Sequence, residues 1–297
     1  MRVGFVGATG LMGHGMAKNI VTKGHELSFT LRRERDDRVA DLEEAGATKA
    51  ADNAALGHEC EIVVICVTSA EDVEEVVLGD NGLLTEPREG MVIVDASTSE
   101  PAMTRRLAEA ASGSGVGYVD APLTKGPAQA EEGTLNTILG GADEHKALVR
   151  PVIETYSAFV LDTGGVGSAH TIKLLNNTVI QAFCTAMAEA MGIAAKSDVD
   201  PRLLVEILSM GVMSSTTLET MGRALDGDFH GMEFYIDNAR KDVRYYARLA
   251  ADLGYVAPLG SATHATLSTA SAFGHGQDFV PAMVRGQEKL NGVNLVR

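Results

Sequence analysis

The first half of the chain alternates short apolar runs with amphipathic stretches. Apolar runs of strand length lie at residues 3–6, 27–31, 62–67, 91–94 and 117–119, and helical spacing follows at 12–23 and 38–45. The run at 62–67 has no polar interruption, which is typical of a strand buried on both faces of a parallel sheet. Strands that alternate with helices require right-handed crossovers. The pattern therefore predicts an α/β fold with a doubly wound sheet.

The second half of the chain has a helical pattern. Residues 168–196 contain no proline, and apolar residues recur there in steps of three and four, at Ile172, Leu175, Val179, Phe183, Met187, Met191 and Ala194. This spacing predicts one amphipathic helix about 40 Å long. Further helices are predicted at 202–210, 234–253, 259–273 and 279–290. Glycines cluster near 163–168, so we predict two domains, 1–165 and an all-α domain 166–297 that includes the long linking helix.

A glycine-rich turn separates the first predicted strand from the first predicted helix. It reads Gly7-Ala8-Thr9-Gly10-Leu11-Met12-Gly13, a G-x-x-G-x-x-G pattern. Glycines at such a turn allow a pyrophosphate to approach the backbone N–H groups that open the helix. The position predicts a nicotinamide dinucleotide site formed by Gly7, Thr9, Gly10, Leu11, Met12 and Gly13. An ordinary tight turn is the alternative interpretation.

The residues after the second predicted strand bear on which dinucleotide binds. A site for NAD usually has Asp or Glu at this point to hold the ribose 2′-hydroxyl. Here Leu31 is followed by Arg32 and Arg33, whose guanidinium groups suit a 2′-phosphate. We therefore expect NADP as the cofactor, bound by these two arginines. NAD stays open, because Glu34 is a candidate ribose partner and the arginines can also form a solvated basic corner.

The charge balance narrows the choice of partners. The chain has 297 residues with 40 Asp and Glu against 25 Lys and Arg, a formal net charge of -15. That excess argues against nucleic acid, since binding to a phosphate backbone relies on clustered Lys and Arg. No uninterrupted apolar run approaches the roughly 18 residues of a membrane span. Cys60, Cys66 and Cys184 form no close pair, so neither disulfides nor a metal site is expected. We expect a cytoplasmic protein.

Two polar residues on the long predicted helix are candidates for chemistry. Lys173 and Asn177 are four residues apart, so they lie on one helical face, and they follow the glycines at 164–167. An ammonium group near a cofactor can hydrogen-bond to a reacting oxygen and exchange a proton with it. His170, three residues before the lysine, is a candidate supporting residue. A solvated surface lysine is the alternative.

Several motifs in order along nearly the whole chain resemble the β-hydroxyacid dehydrogenase family. They are Gly4-Phe5-Val6-Gly7, Leu11-Met12-Gly13, Met16-Ala17-Lys18-Asn19, Asp95-Ala96-Ser97-Thr98, Asp120-Ala121-Pro122, Gly133-Thr134-Leu135, Gly140-Gly141, Gly164 to Gly167 with Lys173 and Asn177, and Lys241-Asp242. The resemblance implies an N-terminal Rossmann domain, a long linking helix and an all-helical C-terminal domain. It also implies assembly as a homodimer or homotetramer.

The resemblance assigns roles to individual residues. Lys173 matches a catalytic general acid/base. The positions matching substrate contacts are Thr124, Lys125, Gly126 and Asn177, and those assigned to the cofactor are Val67, Thr68, Thr98 and Lys241. Lys125 replaces a glycine that the family usually has in the loop holding the substrate's acid group. An added ammonium there suits a doubly charged or sulfonated substrate, unless the side chain points to solvent.

Together these features predict an NADP-preferring oxidoreductase that acts on a small anionic substrate. The expected reaction moves a hydride between the nicotinamide and a β-hydroxyacid or its semialdehyde, of the 3-hydroxyisobutyrate, tartronate semialdehyde, succinic semialdehyde or sulfolactaldehyde type. Two alternatives remain. An imine reductase shares this architecture but usually has Asp or Tyr where this chain has Lys173. A non-catalytic NADP-binding sensor or scaffold protein would need the glycine turn only.

Overall fold

A computed structural model describes residues 1–31 and 36–296, and it divides into two compact units, Met1–Lys173 and Leu174–Arg297. The division falls inside a long helix, because the first turn of that helix packs with the first unit. We predicted the boundary at 165/166, just before this helix. The two units are described separately below.

The first unit is built on one mixed sheet. Its strands are β1 (Arg2–Val6), β2 (Glu26–Thr30), β3 (Thr48–Lys49), β4 (Ile62–Ile65), β5 (Val92–Asp95), β6 (Gly117–Asp120), β7 (Leu123–Thr124), β8 (Leu135–Gly140) and β9 (Ser157–Gly164). Their order is β3-β2-β1-β4-β5-β6-β8-β7, with β9 paired to β8. The first six positions are parallel, whereas β8 runs antiparallel to β6 and β7. The predicted doubly wound α/β fold is confirmed.

Helices flank this sheet on both faces. They are α1 (Gly13–Thr22), α2 (Asp36–Glu44), α3 (Asn53–Glu59), α4 (Ala70–Leu78), α5 (Pro101–Gly113), α6 (Pro127–Glu132) and α7 (Asp143–Tyr156). Alternate residues of β4 join different apolar clusters: Ile62 and Val64 one, Val63 and Ile65 the other. Side chains of a strand alternate between faces, so both faces of β4 are covered. This explains its uninterrupted apolar sequence.

The second unit is helical among its described residues. It contains most of α8 (Ser168–Lys196), then α9 (Pro201–Ser209), α10 (Thr216–Arg223), α11 (Ile236–Asp252), α12 (Pro258–Ala270) and α13 (Met283–Asn291). The Asp200 carboxylate caps α9 by accepting a hydrogen bond from the Arg202 backbone N–H, and Pro201 opens the helix. Met187 and Met191 of α8 lie in the core of this unit.

The apolar stripe predicted along α8 is wrong in its first half. Ile172 and Leu175 are about two-fifths exposed and Val179 is 71% exposed, whereas Met187 and Met191 are buried. The buried residues of the first half include Thr178 and Gln181, which are polar. The spacing of apolar residues therefore does not show by itself whether a helical face is buried within its own chain or exposed on its surface.

Helix α8 also qualifies as a possible membrane span by length and composition alone. Its best 18-residue window has a mean hydropathy of 1.4, and 44% of that window is buried. The sequence pattern predicts no membrane span because α8 has no uninterrupted apolar run of that length, and its apolar residues are interspersed with polar ones. A helix in the core of a soluble protein passes the same test. The second half of α8 packs in the apolar core of the second unit.

Candidate active site

The glycine turn between β1 and α1 is closed by backbone contacts that leave no room for a side chain at Gly7 or Gly13. Gly7 has φ +92, and a Cβ there would lie 2.2 Å from the backbone oxygen of Cys66. A Cβ on Gly13 would lie 2.1 Å from the carbonyl oxygen of Gly7. The same carbonyl accepts the backbone N–H of Gly10 at 3.0 Å. The glycines are therefore required by how closely strand, turn and helix approach each other.

This turn fits a pyrophosphate group. In the described part of the chain, the backbone N–H groups of Leu11 and Met12 donate no hydrogen bond. Both stand at the start of α1, where unpaired N–H groups and the helix dipole favour an anion. The turn lies next to the boundary between β1 and β4, the point at which a doubly wound sheet opens a crevice for a dinucleotide.

Arg38 is a site residue that the sequence did not reveal. Its guanidinium Nη1 donates to the carbonyl oxygens of Thr9 at 3.0 Å and Gly10 at 2.6 Å. Helix α2 thus holds the glycine turn and adds a positive charge beside it. The two arginines predicted to bind a 2′-phosphate, Arg32 and Arg33, lie outside the described residues.

The other predicted cofactor residues of the first unit follow the carboxyl ends of neighbouring parallel strands. Val67 and Thr68 come after β4, and Thr98 comes after β5. The backbone N–H of Val67 donates to the Ser97 hydroxyl oxygen at 3.1 Å, which joins the two segments. Carboxyl ends of parallel strands share one edge of the sheet, so these residues lie on the same edge as the glycine turn.

The predicted substrate loop follows β6 on that edge. The hydroxyl oxygen of Thr124 accepts a hydrogen bond from the Asn136 side-chain amide at 3.2 Å. Lys125 has φ 75, a left-handed conformation that favours glycine, and its ammonium donates to the Thr134 backbone oxygen at 2.6 Å. Gly126 caps α6, and its N–H donates to the Gln129 side chain at 3.2 Å. The lysine is exposed, and its ammonium lies on the residue that immediately precedes β8, the strand that pairs with the loop.

Lys173 reaches this loop from α8. Its side chain is half-buried, and its Nζ donates to the Leu123 backbone oxygen at 2.6 Å. Leu123 immediately precedes Thr124, so the ammonium lies against the segment that the sequence assigned to the substrate's acid group. A lysine held in this way can donate to a substrate oxygen.

The predicted site residues of the second unit meet at one buried carboxylate. Asn177 Nδ2 donates to Asp242 Oδ2 at 2.6 Å, and Lys241 Nζ lies 2.8 Å from Asp242 Oδ1. Asp242 is 1% exposed. The Lys241 ammonium also lies 4.9 Å from the centre of the Tyr245 ring. Asp242 is a site residue that the sequence prediction does not include, although it directly follows the predicted site residue Lys241.

Comparison with known proteins agrees with this geometry. Residues 2–166 match the NAD binding domain of 6-phosphogluconate dehydrogenase, and residues 167–285 match the NAD-binding region of NADP-dependent 3-hydroxyisobutyrate dehydrogenase. The fold and the glycine turn define a nicotinamide dinucleotide-binding oxidoreductase. The chain belongs to the β-hydroxyacid dehydrogenase family.

Individual relatives cover almost the whole chain. It is 30% identical to 2-hydroxy-3-oxopropionate reductase of Escherichia coli (strain K12) over 98% of both proteins. It is 27% identical to 2-(hydroxymethyl)glutarate dehydrogenase of Eubacterium barkeri over 99% of this chain and 97% of that protein. Mycobacterium tuberculosis 3-hydroxyisobutyrate dehydrogenase has the same fold, with a TM-score of 0.85 at 22% identity over 98% of this chain and 99% of that structure.

Proposed function

We propose that this protein is an NADP-preferring oxidoreductase of small β-hydroxyacids or their semialdehydes, with Lys173 as the general acid/base. The observation that carries the proposal is the 2.6 Å hydrogen bond from the Lys173 ammonium to the Leu123 carbonyl, next to the substrate loop. Membership of the family supplies the reaction class, which is hydride transfer between a nicotinamide and a hydroxyacid or its carbonyl form.

Individual side chains have different proposed roles in proton transfer and substrate binding. When it is bound, the nicotinamide cofactor supplies or accepts the hydride. Lys173 donates a proton to the substrate oxygen in reduction and takes one back in oxidation, and the Leu123 carbonyl keeps its Nζ on the loop. Because Thr124 accepts from Asn136, its own hydroxyl proton is available to bind the substrate's carboxylate. Asn177, oriented by Asp242 in the second unit, is the proposed amide contact to the substrate.

The preference for NADP rests on two arginines between β2 and α2 in the sequence and on one arginine of α2. Arg32 and Arg33 follow β2 where a site for NAD usually has an acidic residue. Arg38 adds a third guanidinium group, fixed on the glycine turn. The matching family description of residues 167–285 also names an NADP-dependent enzyme. The positive charges of these three arginines would favour a cofactor with a 2′-phosphate, which is NADP.

For the substrate, we propose an acid with a second negative charge. Lys125 occupies a left-handed conformation that glycine would adopt more easily, since the left-handed form costs most residues roughly 1–2 kcal/mol. Its exposed ammonium adds a positive charge beside Thr124. One relative is named for 2-(hydroxymethyl)glutarate, which carries two carboxylates. A dicarboxylic or sulfonated semialdehyde fits a loop with this added charge.

We also propose that the protein forms a cytoplasmic homodimer or homotetramer. Helices α8 and α9 expose large apolar side chains at Val179, Ile193, Leu203 and Ile207, and burial of such side chains against another copy of the chain would stabilise an assembly. The three cysteines are free thiols, as expected in a reducing compartment. The net charge of -15 opposes a nucleic acid partner. Light scattering on the purified protein measures the assembly, and a monomer would contradict it.

One experiment tests the reaction, the cofactor and the lysine together. NADPH and NADH oxidation are measured against a panel of monoanionic, dianionic and sulfonated semialdehydes and of cyclic imines. We expect turnover of aldehydes, with NADPH preferred. Lys173→Met should lower kcat by about 10²-fold or more, as is typical for loss of acid–base help, while NADPH binding measured by fluorescence stays nearly unchanged. Reduction of imines but of no aldehyde would contradict the proposal.

One variant serves as the control for this experiment, and a second variant tests the choice of substrate. Lys23 also donates to a backbone carbonyl in the first unit, that of Thr155, but it follows the far end of α1, so Lys23→Met should keep full activity. Lys125→Gly should reduce the preference for dianionic or sulfonated aldehydes. An unchanged preference would show that Lys125 does not select the substrate. If Lys173→Met keeps more than about a tenth of the wild-type kcat, Lys173 is not the general acid/base.

A further inference from the structure

His170 is a fully buried histidine bonded through both ring nitrogens. It lies in the first turn of α8. Its Nε2 is 3.1 Å from the backbone oxygen of Ser97, which can only accept, so this nitrogen carries a proton and donates it. Its Nδ1 is 2.7 Å from the Thr104 hydroxyl of α5. The ring therefore joins the start of α8 to the turn after β5 and to the helix behind that turn.

The backbone of the same helical turn is held by Asp120. This residue ends β6 and is fully buried. Its Oδ1 accepts the N–H of Gly167 at 2.8 Å, and its Oδ2 accepts the N–H of His170 at 2.9 Å. A carboxylate on the first N–H groups of a helix satisfies them and complements the helix dipole. The first turn of α8 is thus fixed against the sheet through its backbone as well as its side chain.

The turn that receives the histidine is fixed in the same way. The Ser97 N–H donates to Asp95 Oδ1 at 3.0 Å, and the Ser97 hydroxyl accepts the N–H of Val67. Tyr118 donates to Asp95 Oδ2 at 3.0 Å. Burial first, and then the Asp95 charge, raises the pKa of Tyr118, so the phenol stays a donor. Thr98, the residue assigned to the nicotinamide side, follows directly on this turn.

We propose that His170 is a positioning residue, which sets the distance between the turn at Ser97 and Thr98 and the ammonium of Lys173. The lysine is three residues further along α8, about one helical turn. The inference rests on the proposed function, because it assumes that the nicotinamide lies at Thr98 and that Lys173 exchanges the proton. Reacting atoms must approach to about 3–3.5 Å, and a misplacement of 1 Å costs about 10²-fold in rate. His170 acts through the Ser97 carbonyl and touches neither ligand.

Two substitutions separate positioning from packing. His170→Met fills the site without a donor, whereas His170→Gln keeps an amide N–H for the Ser97 carbonyl. We expect His170→Met to lower kcat by about tenfold to 10²-fold while the Kd for NADPH changes less than about threefold. The isotope effect with NADPH deuterated at C4 should rise, because hydride transfer becomes slower than product release. His170→Gln should restore most of kcat and return the isotope effect toward the wild-type value.

The control removes a buried group of the same unit that forms no part of this network. Ile20 is fully buried near the end of α1, away from the glycine turn, and Ile20→Val should lower the Tm without changing kcat or the isotope effect. If the wild type is active and a folded His170→Met keeps kcat within twofold, the inference is wrong. A loss that His170→Gln does not restore, with a parallel rise in the Kd for NADPH, also overturns it. If the wild type itself reduces no semialdehyde, the proposed function is wrong instead.

Discussion

Replacing Gly13 with alanine is a direct test of the glycine turn. The added Cβ would lie 2.1 Å from the carbonyl oxygen of Gly7, more than an ångström closer than an ordinary contact, and 3.3 Å from the Phe5 ring. The obstacle at 2.1 Å is backbone, so it cannot move aside by changing a rotamer. Either β1 and α1 separate, or the carbonyl turns and loses its hydrogen bond from Gly10.

The size of the effect follows from two opposing contributions. Forcing an extra carbon into a packed position costs about 1–3 kcal/mol, and alanine recovers up to about 1 kcal/mol of helix propensity over glycine. We expect a net loss of about 1–2 kcal/mol in the free energy of unfolding. At about 2–4 °C per kcal/mol for chains of this size, the Tm should fall by roughly 2–8 °C. Distortion of the N–H groups of Leu11 and Met12 should raise the Kd for NADPH at least about tenfold, or about 1.4 kcal/mol.

Thermal unfolding by circular dichroism and NADPH titration by fluorescence measure both quantities. Gly113→Ala is the matched control, because Gly113 is the last residue of α5 in the same unit and a Cβ there meets nothing within 4 Å. That variant should keep or slightly raise the Tm and bind NADPH normally. If Gly13→Ala binds NADPH as tightly as Gly113→Ala and melts at the same temperature, the turn is not the cofactor site described above.

Two further predictions concern buried groups. Asp242→Ala should lower the free energy of unfolding of the second unit by about 3–5 kcal/mol in urea, because Lys241 and Asn177 lose a buried partner that they share. The KM for the substrate should also rise. A loss of stability under about 1 kcal/mol would refute this prediction. Burial raises the pKa of Cys60 to about 11 and of Cys184 to about 12. Both thiols should therefore stay protonated at pH 8 and react with Ellman's reagent only after the protein is unfolded. Fast labelling of either cysteine in the native protein would contradict this prediction.

The sequence predicted those parts of the first unit that depend on local pattern. The apolar run at 62–67 identified a strand covered on both faces, although the strand itself ends at Ile65. The glycine turn was identifiable because close backbone approach leaves a direct trace in residue type, as the contacts of Gly7 and Gly13 show. The antiparallel pairing of β8 with β6 and β7 was not foreseen, because Leu123–Thr124 is too short to show an alternating pattern.

Contacts between distant segments left no such trace. In the sequence, Arg38 cannot be distinguished from a solvent-exposed arginine of a helix. Its partners, the carbonyls of Thr9 and Gly10, belong to another segment, and the tertiary structure brings them to it. The bond from Lys173 to Leu123 likewise joins residues 50 positions apart. His170 shows the physical reason most clearly. A histidine is compatible with a surface, a metal site or a core. The Ser97 carbonyl, from the turn after β5, places a proton on Nε2 of this ring, and the Thr104 hydroxyl of α5 bonds to Nδ1. These two partners, and not the residue type alone, account for the buried position of His170. Residue type limits the chemistry that a side chain can perform, and tertiary contact decides which part of that chemistry it performs.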